Sequence, residues 1–99
     1  MSRPSPLDPG EIAERLLALP GWSHAEGALR REFVFADFSE AFGFMTRAAL
    51  AAEKLDHHPD WSNAWNRVSV RLSTHDAGGI TDLDFRLAAV MQRLMKKRE

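Results

Sequence analysis

The 99-residue chain contains no cysteine. This absence excludes a thiolate nucleophile, a cysteine-ligated metal site and a disulfide framework, and it fits a reducing compartment. The chain also has no apolar run near the roughly 18 residues that a membrane span needs, and its first residues lack the apolar segment of a signal peptide. We therefore expect a cytoplasmic protein.

Net charge is nearly absent as well, because 13 Lys and Arg face 14 Asp and Glu. This balance argues against a basic footprint for nucleic acid spread over the whole surface. The short basic run at 96–98 is explained as a helix C-terminus, where cations interact favourably with the helix dipole. We expect a flexible tail over residues 1–7 and a single domain over residues 8–99.

The first third of the chain predicts a helix followed by a β-hairpin. Asp8 is placed to cap the helix, and Pro20–Gly21 is placed to end it. Residues 22–35 are typical of two strands joined by a turn at Glu26–Gly27. Arg31 interrupts the apolar face of the second strand, so we expect the early part of that strand to be exposed.

A longer helix is predicted next, capped by Asp37 or Ser39 and running to about Asp56. Pro59 disfavours helical geometry at His58, so the helix should end close to that residue. The apolar positions with helical spacing are Phe38, Phe42, Met45, Ala49 and Ala52.

The last third of the chain predicts strand structure and a final helix. Residues 61–74 are predicted to form either one long strand or two, because Val68, Val70 and Leu72 alternate with polar side chains over residues 67–73. Thr81 and Asp84 have the form of a capping box that opens the last helix. This helix is apolar over so much of its surface that it is either deeply buried or part of a subunit interface. The order α-β-β-α-β(β)-α indicates an α+β fold, with an antiparallel four-stranded sheet and three helices on one face.

Three of the four histidines are concentrated in two short segments, at His57, His58 and His75. Histidine is the side chain that gives or takes a proton near neutral pH, so this cluster beside acids indicates a proton-transfer site. The competing structural interpretations are a solvated helix end for His57–His58 and a simple cap for Asp84. A metal site is a further alternative, but adjacent histidines point in different directions, and no His-x-x-x-His spacing is present.

Two ordered motifs carry a specific resemblance. Glu-Lys-x-x-His-His-Pro-x-Trp-x-Asn begins at Glu53, and Thr-His-x-x-Gly-Gly-x-Thr-x-x-Asp ends at Asp84. Together they resemble the signature of the pterin-4a-carbinolamine dehydratase family, and nearly the whole chain fits such a protein in length and element order. One departure is Trp65, where the family commonly has Tyr.

The resemblance implies dehydration of 4a-hydroxytetrahydropterin to quinonoid dihydropterin and water, which recycles the cofactor of aromatic amino-acid hydroxylases. It implies His57, His58 and His75 as catalytic residues, with acid and base unassigned. It implies no metal, no bound organic cofactor, and a homodimer or homotetramer. The residues implied to bind or orient the substrate are Glu53, Asp56, Pro59, Trp61, Thr74, Asp76, Ala77 and Asp84.

A second class of function stays open. Relatives of this family also act as dimerisation partners of transcription factors, so the same scaffold could be a non-catalytic binding or assembly module of the coactivator type. The wide apolar face of the last helix motivates this alternative. A related pterin substrate, such as one in molybdopterin metabolism, is a third possibility.

Overall fold

The computed structural model describes residues 4–96. The predictions that concern residues 1–3 and the basic positions 97–98 lie outside the described residues. The elements in chain order are α1 (Pro9–Leu16), β1 (Ser23–Ala25), β2 (Ala28–Val34), α2 (Phe38–Leu55), β3 (Asp60–Ala64), β4 (Arg67–Leu72), a short 3₁₀ helix (His75–Ala77) and α3 (Asp82–Lys96).

The four strands form one antiparallel sheet in the order β1-β2-β4-β3. Residues 61–74 therefore supply two strands rather than one. Phe33 lies opposite Val68, and both are buried, whereas the neighbouring pair Glu32 and Ser69 is exposed on the other face. Because side chains alternate across a strand, the helices cover one face of the sheet and leave the other open. The predicted α+β fold is confirmed.

Both hairpin turns use left-handed backbone. Glu26 and Gly27 have φ of 54° and 75°, which confirms the predicted turn between β1 and β2. The turn between β3 and β4 places Trp65 at a φ of 52°. Residues other than glycine rarely adopt this conformation, so Glu26 in the first turn and Trp65 in the second both carry backbone strain.

Helix α1 begins as predicted but ends earlier. The Asp8 side chain accepts a hydrogen bond from the backbone N–H of Glu11 at 2.9 Å. The helix ends at Leu16 rather than at Pro20–Gly21. Beyond it the backbone tightens into bonds three residues apart, such as Leu19 N to Leu16 O at 3.0 Å, and this turn buries Leu19 in the core.

Helix α2 presents to the core a face that matches the predicted stripe only in part, at Met45 and Ala52. Asp37, rather than Ser39, is its cap. Phe38 and Phe42 are 49% and 53% exposed, and Ala49 is exposed as well. The buried side chains are Ala41, Phe44, Ala48 and Ala52. The small alanines allow close approach to α3 and β4, and the Phe44 ring packs 4.7 Å from that of Phe33, measured between centroids.

Arg31 does not expose the start of β2, as had been expected. Ala28 and Leu29 are fully buried, and Arg31 itself is half-buried. Its guanidinium lies 4.5 Å from the centroid of the Phe33 ring and donates to the carbonyl of Pro20 at 2.9 Å. Burial lowers the pKa of the Arg31 guanidinium. The arginine stem thus serves as part of the apolar surface while its head is hydrogen-bonded.

Helix α3 buries much of its wide apolar surface within the chain. Its apolar side chains are buried in the core beside α2, namely Leu83, Phe85, Leu87, Ala88 and Met91. Within the described residues, no helix combines the length and the apolar character required to cross a membrane.

The segment before α1 is attached to the loop that precedes α3. The backbone N–H of Leu7 donates to the carbonyl of Ile80 at 2.8 Å, and the Leu7 side chain packs against the core. Leu7 is the last residue of the predicted tail, and it is attached to the domain by these contacts.

Candidate active site

The exit of α2 separates two adjacent histidines. Asp56 caps the helix in the left-handed region, with φ of 52°, and its N–H bonds to the carbonyls of Ala52 and Glu53. The chain then continues away from the helix, as Pro59 requires. The His57 side chain is 4% exposed, whereas that of His58 is 58% exposed.

His57 is paired with a buried acid from the first turn of α3. Its Nε2 atom lies 2.5 Å from Oδ1 of Asp84, which has no exposed surface. The two residues are 27 positions apart in the sequence. The pair therefore connects the end of α2 with the start of α3.

Two threonines complete the environment of Asp84. Its Oδ2 atom accepts from the hydroxyl of Thr74 at 2.9 Å and from the backbone N–H of Thr81 at 2.9 Å. The hydroxyls of Thr74 and Thr81 are 2.8 Å apart, and both side chains are buried. The Thr81 hydroxyl also accepts from the N–H of Leu83 at 3.2 Å, so the predicted capping box is present in modified form.

These contacts determine which imidazole nitrogen of His57 is available. A carboxylate oxygen accepts about two hydrogen bonds, and the two donors on Oδ2 leave Oδ1 for the imidazole. Nε2 of His57 therefore donates to Asp84. Nδ1 of His57 has no hydrogen-bond partner among residues 4–96. It is also not one of the fully buried side-chain atoms that lack a partner, so it keeps some access to solvent. Nδ1 is thus the nitrogen that can exchange a proton with a bound molecule.

The other two histidines lie at the surface. Nε2 of His58 is 3.0 Å from Oε1 of Glu53, which is one turn back on α2. His75 is exposed and opens the 3₁₀ helix directly after Thr74. Its loop is closed by a bond from Thr74 N to Gly79 O at 2.9 Å. His75 is therefore attached, through its sequence neighbour, to the same network that holds His57.

The remaining predicted site residues differ in exposure. Pro59, Trp61 and Ala77 are half-buried, and Asp56 and Asp76 are exposed but engaged in contacts. Trp61 stands on β3 opposite Val70. It lines a groove of about 470 Å³ over the sheet, whose lining contains no histidine. The structure thus brings His57, Thr74 and Asp84 together, pairs His58 with Glu53, and directs Trp61 to a neighbouring surface.

Sequence reasoning missed one participant. Thr81 was assigned only as a helix cap, and its hydroxyl contact with Thr74 carries no signal in the sequence pattern. His24, outside the motifs, is exposed in β1 as expected. Within residues 4–96, no group of three or more His, Asp and Glu side chains is arranged to hold a metal ion.

The fold and this site define a small α+β domain with a carboxylate-bound histidine at a helix exit. Residues 5–94 match the family model described as pterin 4 alpha carbinolamine dehydratase. A relative from Chelativorans sp. (strain BNC1) is 57% identical over 93 residues, which cover 92% of this chain and 95% of the relative. A second from Sinorhizobium medicae is 53% identical, covering 97% and 93%. Both are provisionally named pterin-4-alpha-carbinolamine dehydratases.

A solved structure from Brucella melitensis, described as a transcriptional coactivator/pterin dehydratase, superposes with a TM-score of 0.89. It is 51% identical and is covered over 98% of its length, with 91% of this chain covered. The chain belongs to the pterin 4 alpha carbinolamine dehydratase family. This membership confirms the predicted family and places the chain among the hydro-lyases.

Proposed function

We propose that this protein dehydrates 4a-hydroxytetrahydropterin to quinonoid dihydropterin and water by histidine acid–base catalysis. The observation that carries the proposal is the buried His57–Asp84 pair, which leaves Nδ1 of His57 free to exchange a proton. Family membership supports the reaction class.

The reaction needs two proton transfers and no redox change. The bond between C4a and the hydroxyl oxygen breaks, and that oxygen leaves as water after it receives a proton. A second proton is removed from a ring nitrogen, which supplies the electron pair of the new double bond. His57 and His75 are the proposed acid and base groups, with His58 as a catalytic residue next to the substrate. General acid–base catalysis contributes roughly 10²–10⁴-fold.

The other parts of the proposal stay predictions. Glu53 orients His58, with which it is paired. The side chains of Pro59, Asp76 and Ala77 contact the pterin, and Trp61 and Asp56 lie at its edge. Thr74 is buried, and its hydroxyl and backbone polar atoms are hydrogen-bonded within the chain, so we assign it an orienting role rather than a direct substrate contact. We propose catalysis without a metal or organic cofactor, a cytoplasmic location, and service to an aromatic amino-acid hydroxylase.

The test is a stopped-flow assay of 4a-hydroxytetrahydropterin dehydration with EDTA-treated protein. We compare the wild type with His57→Ala, His75→Ala and the matched surface control His24→Ala, each checked for folding by circular dichroism. Fast turnover by the chelated wild type and by the control, with loss in the other two variants, is expected. A folded wild type that does not accelerate the reaction would overturn the dehydratase assignment. Full turnover in His57→Ala and His75→Ala would overturn histidine catalysis alone.

A second candidate function is assembly through α2, either as a homodimer or homotetramer or as a non-catalytic coactivator-type module. The observation that favours it is a set of exposed apolar side chains on this helix. Phe38 and Phe42 contact each other, with ring centroids 5.6 Å apart, and Leu50 is exposed on the same helix. Much of the face of α3 that first motivated this alternative is buried within the chain.

Sedimentation equilibrium tests the assembly. We compare the wild type with Phe42→Ser and with Leu17→Ser, a matched control because Leu17 is apolar and exposed outside α2. An oligomer that dissociates in Phe42→Ser only is expected. A monomeric wild type, or an equal effect of both variants, would remove α2 as the interface. A pull-down that recovers only copies of this chain would count against a heterologous partner.

A further inference from the structure

The threonine pair beside Asp84 has more contacts than helix capping requires. Capping accounts for two hydrogen bonds: the Thr81 hydroxyl accepts from the N–H of Leu83, and the Asp84 carboxylate accepts from the N–H of Thr81. It does not account for Thr74, which follows β4 and lies seven residues before Thr81. Thr74 nevertheless places its hydroxyl against both Thr81 and Asp84.

We propose that Thr74 and Thr81 are positioning residues that fix the tautomer and the ring orientation of His57 through Asp84. The catalytic consequence rests on the proposed dehydratase function, but the structural consequence does not. Neither threonine hydroxyl is assigned to touch the substrate.

The proton order in this network follows from counting donors. A hydroxyl has one proton to donate. Thr74 donates its proton to Oδ2 of Asp84, so the 2.8 Å contact between the hydroxyls requires Thr81 to be the donor to Thr74. The order therefore runs from Thr81 to Thr74 to Asp84, and Asp84 accepts on its other oxygen from His57.

Burial gives this order its effect. Thr74, Thr81 and Asp84 are at most 1% exposed, so bulk water does not replace a missing donor without rearrangement. If Thr74 no longer donates, Oδ2 keeps only the backbone N–H of Thr81. The Asp84 carboxylate can then rotate or recruit another donor. Its Oδ1 atom is then no longer held in one position to accept from Nε2 of His57. Outer partners of this kind set the tautomer and the orientation of a functional imidazole.

The experiment replaces each hydroxyl with a methyl group of similar shape. The variants are Thr74→Val, Thr81→Val, the conservative Thr74→Ser, and Thr46→Val as a matched control. Thr46 is an exposed threonine on α2 whose hydroxyl bonds only to a carbonyl of its own helix. Two readouts are taken for each protein: long-range ¹H–¹⁵N NMR correlations of the His57 ring, and kcat and KM for dehydration.

The wild type is expected to carry the ring proton of neutral His57 on Nε2, which faces Asp84. Thr74→Val should introduce the tautomer with its proton on Nδ1 and should lower kcat by about tenfold, with little change in KM. Thr81→Val should change the tautomer and kcat in the same direction but by less, because the backbone N–H of residue 81 still donates to Asp84. Thr74→Ser and Thr46→Val should match the wild type in both readouts.

Two results would overturn the proposal: a wild-type ring that carries its proton only on Nδ1, or Thr→Val variants whose spectra match the wild type. A change in KM alone, with kcat and the His57 tautomer unchanged, would also contradict the proposal. If Thr74→Val does not fold, the His57 tautomer and the kcat of Thr81→Val decide whether the proposal holds. An inactive wild type would reject the proposed function only, because the NMR measurement decides the positioning role without substrate.

Discussion

His57 and His58 are adjacent in the sequence but lie in opposite environments. The first is buried against Asp84, and the second is at the surface beside Glu53. The left-handed cap at Asp56 and the extended chain required by Pro59 produce this division. The two imidazoles are therefore expected to differ in every property that depends on burial, although the motif presents them as a pair.

The stability of the two histidine variants should differ strongly. His57→Ala removes a donor from a buried carboxylate, so we expect it to lower the free energy of unfolding by about 2–4 kcal/mol. His58→Ala breaks an exposed pair, which is worth about 0–1 kcal/mol. Urea denaturation measures both. Equal losses would contradict the burial of His57.

Asp84→Asn keeps the shape of the side chain but removes its charge. The loss of a charge-assisted bond to His57 costs about 1.5–3 kcal/mol, which corresponds to roughly a 10–100-fold decrease in kcat if the pair is used in the transition state. The steady-state dehydration assay measures this decrease. Because Asp82 is also on the first turn of α3 but is half-buried and bonded to Arg15, Asp82→Asn is the matched control and should retain activity. An unchanged kcat in Asp84→Asn would show that the His57–Asp84 pair does not contribute to catalysis.

The two phenylalanines of α2 should respond in opposite ways to truncation. Phe44 is fully buried against Phe33, so Phe44→Ala is expected to cost about 3–5 kcal/mol of unfolding free energy. Phe42 is 53% exposed within the chain, so Phe42→Ala should cost the monomer less than about 1 kcal/mol. Thermal and urea unfolding compare the two variants at a protein concentration low enough to keep the protein monomeric. A larger loss for Phe42→Ala would restore the helix face that the sequence pattern first indicated.

Trp65 offers a substitution that should stabilise the protein. Its backbone is left-handed, a conformation that costs most residues about 1–2 kcal/mol and that Asn tolerates better. Trp65 is also exposed, so little burial is lost. Trp65→Asn is expected to raise the free energy of unfolding by up to about 1 kcal/mol. Trp65→Ala keeps the strained backbone and serves as control; an equal gain in both variants would refute strain as the cause.

The order of helices and strands and the first hairpin turn could be predicted from the sequence because their signals are local. Asp8 and Asp37 cap helices, and Glu26–Gly27 forms a turn, through contacts within four residues. The buried face of α2 could not be predicted in this way. The stripe beginning at Phe38 and the stripe beginning at Ala41 both have helical spacing, and only packing against α3 and the sheet selects the second.

The candidate site was predicted in composition but not in arrangement. The two motifs identify His57 and Asp84, and the capping pattern predicts that Thr81 is next to Asp84. Nothing local places Thr74 against Thr81 or buries one histidine and exposes its neighbour. Those relations depend on how the exits of α2 and β4 meet the start of α3, which is tertiary information.

The span of the His57–Asp84 pair also bears on how this protein acquires its site during folding. Helices form locally within about a microsecond, whereas the pair exists only after α3 has docked beside α2. A partly folded chain with full helix content but undocked α3 therefore lacks the site. Helix signal and site integrity are separate measures of the folded state, and only the second reports that the tertiary structure is complete.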